Sequence, residues 1–208
     1  MSSTDAVAFW DGVHSARPPI TDPRPNDVLA AVVSPLPPGR ALDLGCGGGG
    51  DAVWLARRGW QVTAIDISAV ALTRLTDLAR AHGLDDALTT ERHDLADSFP
   101  RGEFDLICAH YLHTPADLDR AAVLRRAGHA LRAGGRLLVV DHGSTAPWSW
   151  NQDPDPRYPS PAETAARVDL DPAIWSLERA TAPTRLATGP HGSTAEVTDH
   201  VLLWRRSA

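Results

Sequence analysis

Six consecutive residues, Gly45-Cys46-Gly47-Gly48-Gly49-Gly50, constrain this chain more than any other stretch. Glycines lack the Cβ that bars most residues from left-handed backbone, so the main chain can turn sharply and admit a ligand closely. An apolar run, Ala41-Leu42-Asp43-Leu44, reads as a strand entering the turn, and 52–58 reads as a helix leaving it. Strand, glycine turn and helix in that order open a βαβ unit. By itself Gly45-x-Gly47-x-x-Gly50 also fits dinucleotide folds. Two carboxylates narrow it. Asp43 lies two residues before the first glycine, at the strand's carboxyl end, where it suits a ligand ammonium and is a poor neighbour for a pyrophosphate. Asp66 ends the next strand, where a carboxylate accepts hydrogen bonds from ribose hydroxyls.

From Arg40 onward strands alternate with helices. Apolar, β-branched runs at 40–44, 61–65, 88–92, 104–109 and 136–141 read as strands, and the first four are followed by helical periodicity. Ser68 caps one helix, whose apolar stripe includes Val70, Leu72, Leu75 and Leu78, and Gly83 stops it. Thr114-Pro115-Ala116-Asp117 opens a second helix that runs to about Leu131, with Gly134-Gly135 ending it. Ser160-Pro161-Ala162-Glu163 is a capping box. The runs 174–181 and 196–204 read as a terminal antiparallel pair. Prolines crowd the first forty residues, exclude a central strand there and frame two short helices, 5–14 and 26–33. The pattern predicts an α/β, Rossmann-like, doubly wound fold: a mostly parallel seven-stranded sheet with an antiparallel C-terminal strand pair.

Charge excludes some partners. The net charge is −6, and no basic run is longer than an arginine pair. That argues against nucleic acid and against an anionic membrane surface, both of which select a basic face. Residues 1–10 show neither the basic nor the apolar region of a signal peptide, and no apolar stretch approaches a membrane span, so the expected setting is cytoplasmic. Cys46 and Cys108 form no disulfide framework and no metal-ligand spacing, so two reduced thiols and no metal are expected.

With Asp66, the stretch Asp43-x-Gly45-x-Gly47-x-Gly49 resembles the S-adenosylmethionine site of class I methyltransferases. Later segments resemble that family too: His93-Asp94-Leu95 its adenine-contacting turn, Phe104 to His113 its fourth strand and exit, and Leu131-Arg132-Ala133-Gly134-Gly135 the approach to its fifth strand, with Ala133 in place of proline. The resemblance implies S-adenosylmethionine held by Asp43, Gly45, Cys46, Gly47, Asp66, Ile67, Asp94, Leu95, Ala109 and His110. It also implies a single domain over 1–208: an N-terminal helical cap at 1–38, a cofactor-binding core at 39–143, a lid or substrate loop and helix at 144–170, and terminal antiparallel strands at 171–208. Trp10-Asp11 and Gly50 to Ala56 are similar to the small bacterial tellurite-resistance and thiopurine enzymes, although proline replaces that group's second tryptophan-rich element.

Methyl transfer from a sulfonium is an in-line displacement, so the protein mainly positions the acceptor and, for weakly acidic nucleophiles, removes a proton. Bases belong at the carboxyl ends of the fourth and fifth strands, where the crevice opens. His110 and His142 are the catalytic candidates there. Trp10, His113, Trp148 and Trp150 are candidates for the wall around a small-molecule acceptor, with Tyr158 beside them. Each has a plainer alternative: helix packing for Trp10, a cap for His113, a satellite apolar cluster for the tryptophans of the 144–160 loop. His14, His191 and His200 have no supporting context and read as surface or ordinary packing, while Trp54, Trp60, Trp175 and Trp204 read as core. The expected acceptor atom is sulfur, oxygen or nitrogen, soft chalcogens included, and the expected assembly is a monomer or homodimer. Two other readings use the same glycines: a non-catalytic S-adenosylmethionine-binding regulator, and a nicotinamide-dependent oxidoreductase, which Asp43 and the antiparallel ending disfavour.

Overall fold

The computed structural model describes residues 3–149, 153 and 155–208. Two helices come first, α1 (Ser3–Ala16) and α2 (Asp27–Val33). The alternating core follows: β1 (Arg40–Leu44), α3 (Gly50–Arg57), β2 (Gln61–Asp66), α4 (Ala69–Ala81), β3 (Leu88–Arg92), β4 (Phe104–His110), α5 (Arg120–His129) and β5 (Leu131–His142). The chain closes with α6 (Pro161–Val168), β6 (Trp175–Thr181), β7 (Thr184–Thr188) and β8 (Thr194–Arg206). Strand order is β3-β2-β1-β4-β5-β8-β6, with β7 also paired to β8. β1 to β5 are parallel, and β8 runs antiparallel to β5, β6 and β7. The order reverses between β1 and β4, so the strands' carboxyl ends leave a crevice there.

Two cores flank the sheet. Ala41, Leu106, Cys108, Leu138 and Val140 meet Val53 and Leu55 of α3 and Leu75 of α4 on one face. Leu42, Leu44, Ile107, Ala109, Leu137 and Val139 meet Val123, Leu124 and Ala127 of α5 and Val168 of α6 on the other. Central parallel strands covered on both sides read as continuous apolar runs, because neither face sees water. Each fully buried Leu or Ile contributes about 1.5–3 kcal/mol. The caps form as the sequence predicts: the Ser68 side chain accepts from Ala71 N, and Ser160 and Glu163 complete their box.

Three details differ from the sequence reading. α5 starts behind Asp119, not Thr114, because the Thr114 hydroxyl accepts from the indole of Trp10 (3.1 Å) and from Ala116 N (3.3 Å). Gly134 and Gly135 lie inside β5 at an irregularity opposite β4; a Cβ on Gly135 would stand 2.9 Å from the Arg132 carbonyl oxygen and 3.1 Å from that of Phe104. The sheet has eight strands rather than seven. β8 is 13 residues long and carries β7 on its first half and β6 on its second, Pro183 marking the break because it offers no ladder donor. Trp60, Trp175 and Trp204 are buried, whereas Trp54 is half-buried at the core's edge under the Arg58 guanidinium.

Gly50 sets how closely α3 approaches the N-terminal segment. A Cβ there would overlap the carbonyl oxygen of Arg24, a backbone atom that cannot rotate away. Gly50→Ala is expected to cost about 1–3 kcal/mol, read as a melting temperature lower by roughly 3–10 °C. An unchanged melt would refute the overlap.

Candidate active site

The glycine turn lies at the mouth of the crevice. Gly45 (φ +71°) and Gly47 (φ +48°) are both left-handed, and the amides of Gly45 and Cys46 both donate to Ile65 O at 2.9 Å. A Cβ on Gly45 would stand 2.7 Å from Cδ1 of Leu112. The turn also holds Asp66: Gly47 N donates to one carboxylate oxygen and Ser68 N to the other, both at 2.9 Å. Each oxygen keeps a further lone pair for a ligand hydroxyl. Asp66 opens into a cavity of about 410 Å³, whose wall includes Gly45, Gly47, Ile67, Asp94 and Leu95. Ile65, Ile67 and Leu95 make one side of it apolar.

α1 closes this cavity with Ala6, Trp10 and His14, and Arg17 just past its end joins them. Polar contacts hold the helix down. Asp11 accepts from the Ser68 hydroxyl (2.6 Å) and from Val70 N (3.3 Å), which holds its carboxyl below the usual range. Arg74 donates to the carbonyls of His14 and Arg17. The sequence offers Phe9, Trp10 and His14 either as one helix's core face or as a lid over the cofactor, and the Cε1 of His14 would lie 3.5 Å from a Cβ on Gly47. Its spacing of four from Trp10, one helical turn on the same face, was the available signal. Burial pushes its imidazole down, against the opposing pull of Asp66.

A second cavity of about 830 Å³ adjoins the first. Trp10, Tyr111, His113, Thr114 and Leu118 border both. Beyond them the second continues past Arg120, Asp141, His142 and Tyr158. Nε2 of His113 is buried without a hydrogen-bond partner and lies 3.6 Å from Oδ1 of Asp141, which is itself paired with the Arg120 guanidinium. Burial lowers His113 to about 4, although Asp141 pulls upward; Arg120 and His142 add to the lowering. His142 is lowered chiefly by burial as well. Tyr111, absent from the sequence-based candidates, joins the two cavities in left-handed backbone (φ +52°), a conformation no propensity assigns to tyrosine.

Other candidates lie elsewhere. Strand alternation turns Asp43, Cys108 and His110 to the α3 face, away from both cavities. There His110 Nδ1 donates to Asp51 (2.7 Å), Asp51 accepts from Asn26 N (2.6 Å), and His110 Nε2 is buried without a partner. Asp43 is 3% exposed with Oδ2 unpartnered, and burial, then Asp51 and Asp66, pushes its carboxyl well up. Ala109 is core, and Cys46 packs against the apolar cluster with its thiol raised by burial. Trp148 packs on Gly189, where a Cβ would overlap the indole, and borders neither cavity; Trp150 lies outside the described residues. Among the described candidates Asp43, Cys46, Ala109, His110 and Trp148 border neither cavity.

His113 has a consequence for stability. Its folded value near 4 is below the ordinary 6.5, so below pH 6.5 the unfolded chain binds the extra proton. That part of the stability is complete above pH 6.5 and is lost as pH falls from 6.5 toward 4. His113→Gln is expected to flatten urea-denaturation stability over that window, and an unaltered slope would count against the burial.

A methyltransferase-domain family profile matches residues 41–135, from β1 through α5 into β5. The matched stretch, a little under half of the chain, is thus similar to a methyltransferase domain. A ubiquinone biosynthesis O-methyltransferase of Xanthomonas campestris pv. campestris is 36% identical over 142 residues, which cover 64% of this chain and 56% of that protein. The chain thus spans little more than half the length of the curated relatives it matches. Among solved structures, one titled for conversion of a disulfide bond into a thioacetal group during echinomycin biosynthesis has a TM-score of 0.74 at 23% identity, covering 97% of this chain and 91% of that one. TehB from Haemophilus influenzae has a TM-score of 0.63 at 16% identity, covering 88% and 62%. At these identities the likeness shows the methyltransferase fold alone. Among the described residues no helix is long and apolar enough to cross a membrane.

Proposed function

We propose that this methyltransferase moves a methyl group from S-adenosylmethionine to a small-molecule oxygen, sulfur or nitrogen nucleophile in the second cavity, releasing S-adenosylhomocysteine. One observation carries the reading: the cavity that opens at Asp66 and the larger one beside it share a wall at Trp10, Tyr111 and His113. The residues present fit the cofactor. Asp66 retains acceptor capacity for ribose hydroxyls, Ile67 and Leu95 offer apolar surface to the adenine, and Asp94 accepts from its amino group. Asp43, buried beneath the glycine turn and on neither cavity wall, does not reach the cofactor directly in this arrangement. The bound sulfonium supplies an already activated methyl group.

The chain's own residues then do two things: hold the acceptor and take its proton. His113 is the group for the second task. It borders both cavities, is neutral at pH 7, and has Asp141 at 3.6 Å to stabilise the imidazolium once a proton arrives. His142 stacks 5.7 Å from it and orients it. The acidic net charge supports a small-molecule acceptor over nucleic acid or an anionic membrane surface.

Calorimetric titration with S-adenosylmethionine and S-adenosylhomocysteine tests the first half, and mass detection of methylated phenols, thiols and amines tests the second. Micromolar binding followed by turnover is expected. No heat with either ligand would overturn the reading, and binding without turnover across the acceptors would favour the regulator.

A further inference from the structure

Tyr111 follows β4 directly in left-handed backbone, a strained conformation for a bulky residue. Its surroundings hold it there. Its amide donates to Val140 O at 2.7 Å, and its phenol donates to Oδ1 of Asp199 at 3.0 Å. Arg185 completes the clamp, donating through Nη2 to the phenol oxygen (3.1 Å) and through Nε to Oδ2 of the buried Asp199 (2.6 Å). Burial, then Asp199, pushes the phenol up to about 12, so Tyr111 moves no proton at neutral pH. What it presents is its ring. That ring stacks on His142 at 4.4 Å and 24°, and His142 continues to His113 at 5.7 Å and 22°. Three nearly parallel rings thus line the second cavity where it meets the first.

We propose that the acceptor is a planar aromatic nucleophile lying against this ring stack, and that Arg185 and Asp199 are positioning residues that hold the stack for it. The inference rests on the methyl-transfer reading above. A flat ring gains offset-stacking contacts that a saturated one cannot match. The clamp also gives the eighth strand a purpose: β7 pairs with β8 alone and brings Arg185 over the end of β4.

The test uses protein saturated with S-adenosylhomocysteine, with 4-nitrophenol as the aromatic probe and cyclohexanol as the saturated control. 4-Nitrophenol is expected to bind at least about 5-fold more tightly than cyclohexanol. Arg185→Ala is expected to weaken 4-nitrophenol about 10-fold, Arg185→Lys to restore only part of it because one ammonium cannot make both contacts, and S-adenosylhomocysteine affinity to stay within about 2-fold throughout. Should Arg185→Ala not fold, Tyr111→Phe removes only the phenol oxygen, leaves the Arg185–Asp199 pair intact, and is expected to weaken the probe in the same direction. Equal binding of the two probes, no binding of 4-nitrophenol, or a clamp variant that lowers the melting temperature while leaving probe affinity untouched would each overturn the proposal. Absence of S-adenosylhomocysteine binding in the wild type would instead strike at the methyl-transfer reading.

Discussion

Asp66→Ala is expected to weaken S-adenosylmethionine and S-adenosylhomocysteine binding by at least about 10-fold and up to about 150-fold. Loss of a charged hydrogen-bond acceptor costs about 1.5–3 kcal/mol, and each 1.4 kcal/mol is tenfold in affinity. The variant also strips Gly47 N and Ser68 N of their acceptor. Those two amides tie the glycine turn to the start of α4, so the free protein is expected to lose stability as well, by about 1–3 kcal/mol for a donor left unsatisfied. The two effects separate by calorimetry at a temperature where the variant is folded. A variant that melts earlier but binds S-adenosylhomocysteine with wild-type affinity would remove Asp66 from the cofactor site and leave it a loop anchor.

Asp66 was legible in the sequence as a residue of the crevice, while some other residues lining the cavities were not. A carboxylate at the end of the second strand lies at the crevice because topology puts it there, and topology follows from the alternation of apolar runs and helices. All five parallel strands were readable for the same reason. Contacts made at long range were not. Thr114 followed by proline is a sound helix start by local rules, but the Trp10 indole 104 residues away claims its hydroxyl and the helix begins at Arg120. β7 is five residues with mostly exposed side chains, held by pairing to β8 rather than by any apolar pattern of its own.

Within the site, strand parity decided the rest. His110 and His113 both lie at the exit of β4, and the sequence reading puts His110 forward as the base and His113 as acceptor wall or cap. The face of the sheet reverses that preference. His110 follows Leu106 and Cys108 onto the α3 side and spends its Nδ1 on Asp51, whereas the turn at Tyr111 carries the chain over the carboxyl ends and brings His113 to both cavities. The left-handed residue at 111 makes that change of direction, and a tyrosine there could only be found in three dimensions.

His113→Ala is accordingly expected to lower kcat by about 10²–10⁴-fold, the usual worth of a positioned general base. His110→Ala, remote from both cavities, is expected to act mainly on stability by leaving Asp51 short of a partner. Since His113 is held near 4, it is already neutral at pH 7 and its conjugate acid is too strong to pull a proton from a resting phenol or thiol. On the proposed reading the proton is expected to leave late, as methylation makes the acceptor acidic, with Asp141 at 3.6 Å as counter-charge to the new imidazolium. The acid limb of kcat is expected near pH 4, not 6.5, and Asp141→Asn is expected to lower kcat by removing that counter-charge. Cofactor affinity is expected to stay within about 3-fold in His113→Ala if His113 serves as the base and not as an adenosyl contact. A limb at pH 6.5, or a kcat loss matched by an equal loss of S-adenosylhomocysteine affinity, would show that His113 shapes the cavity without accepting the proton.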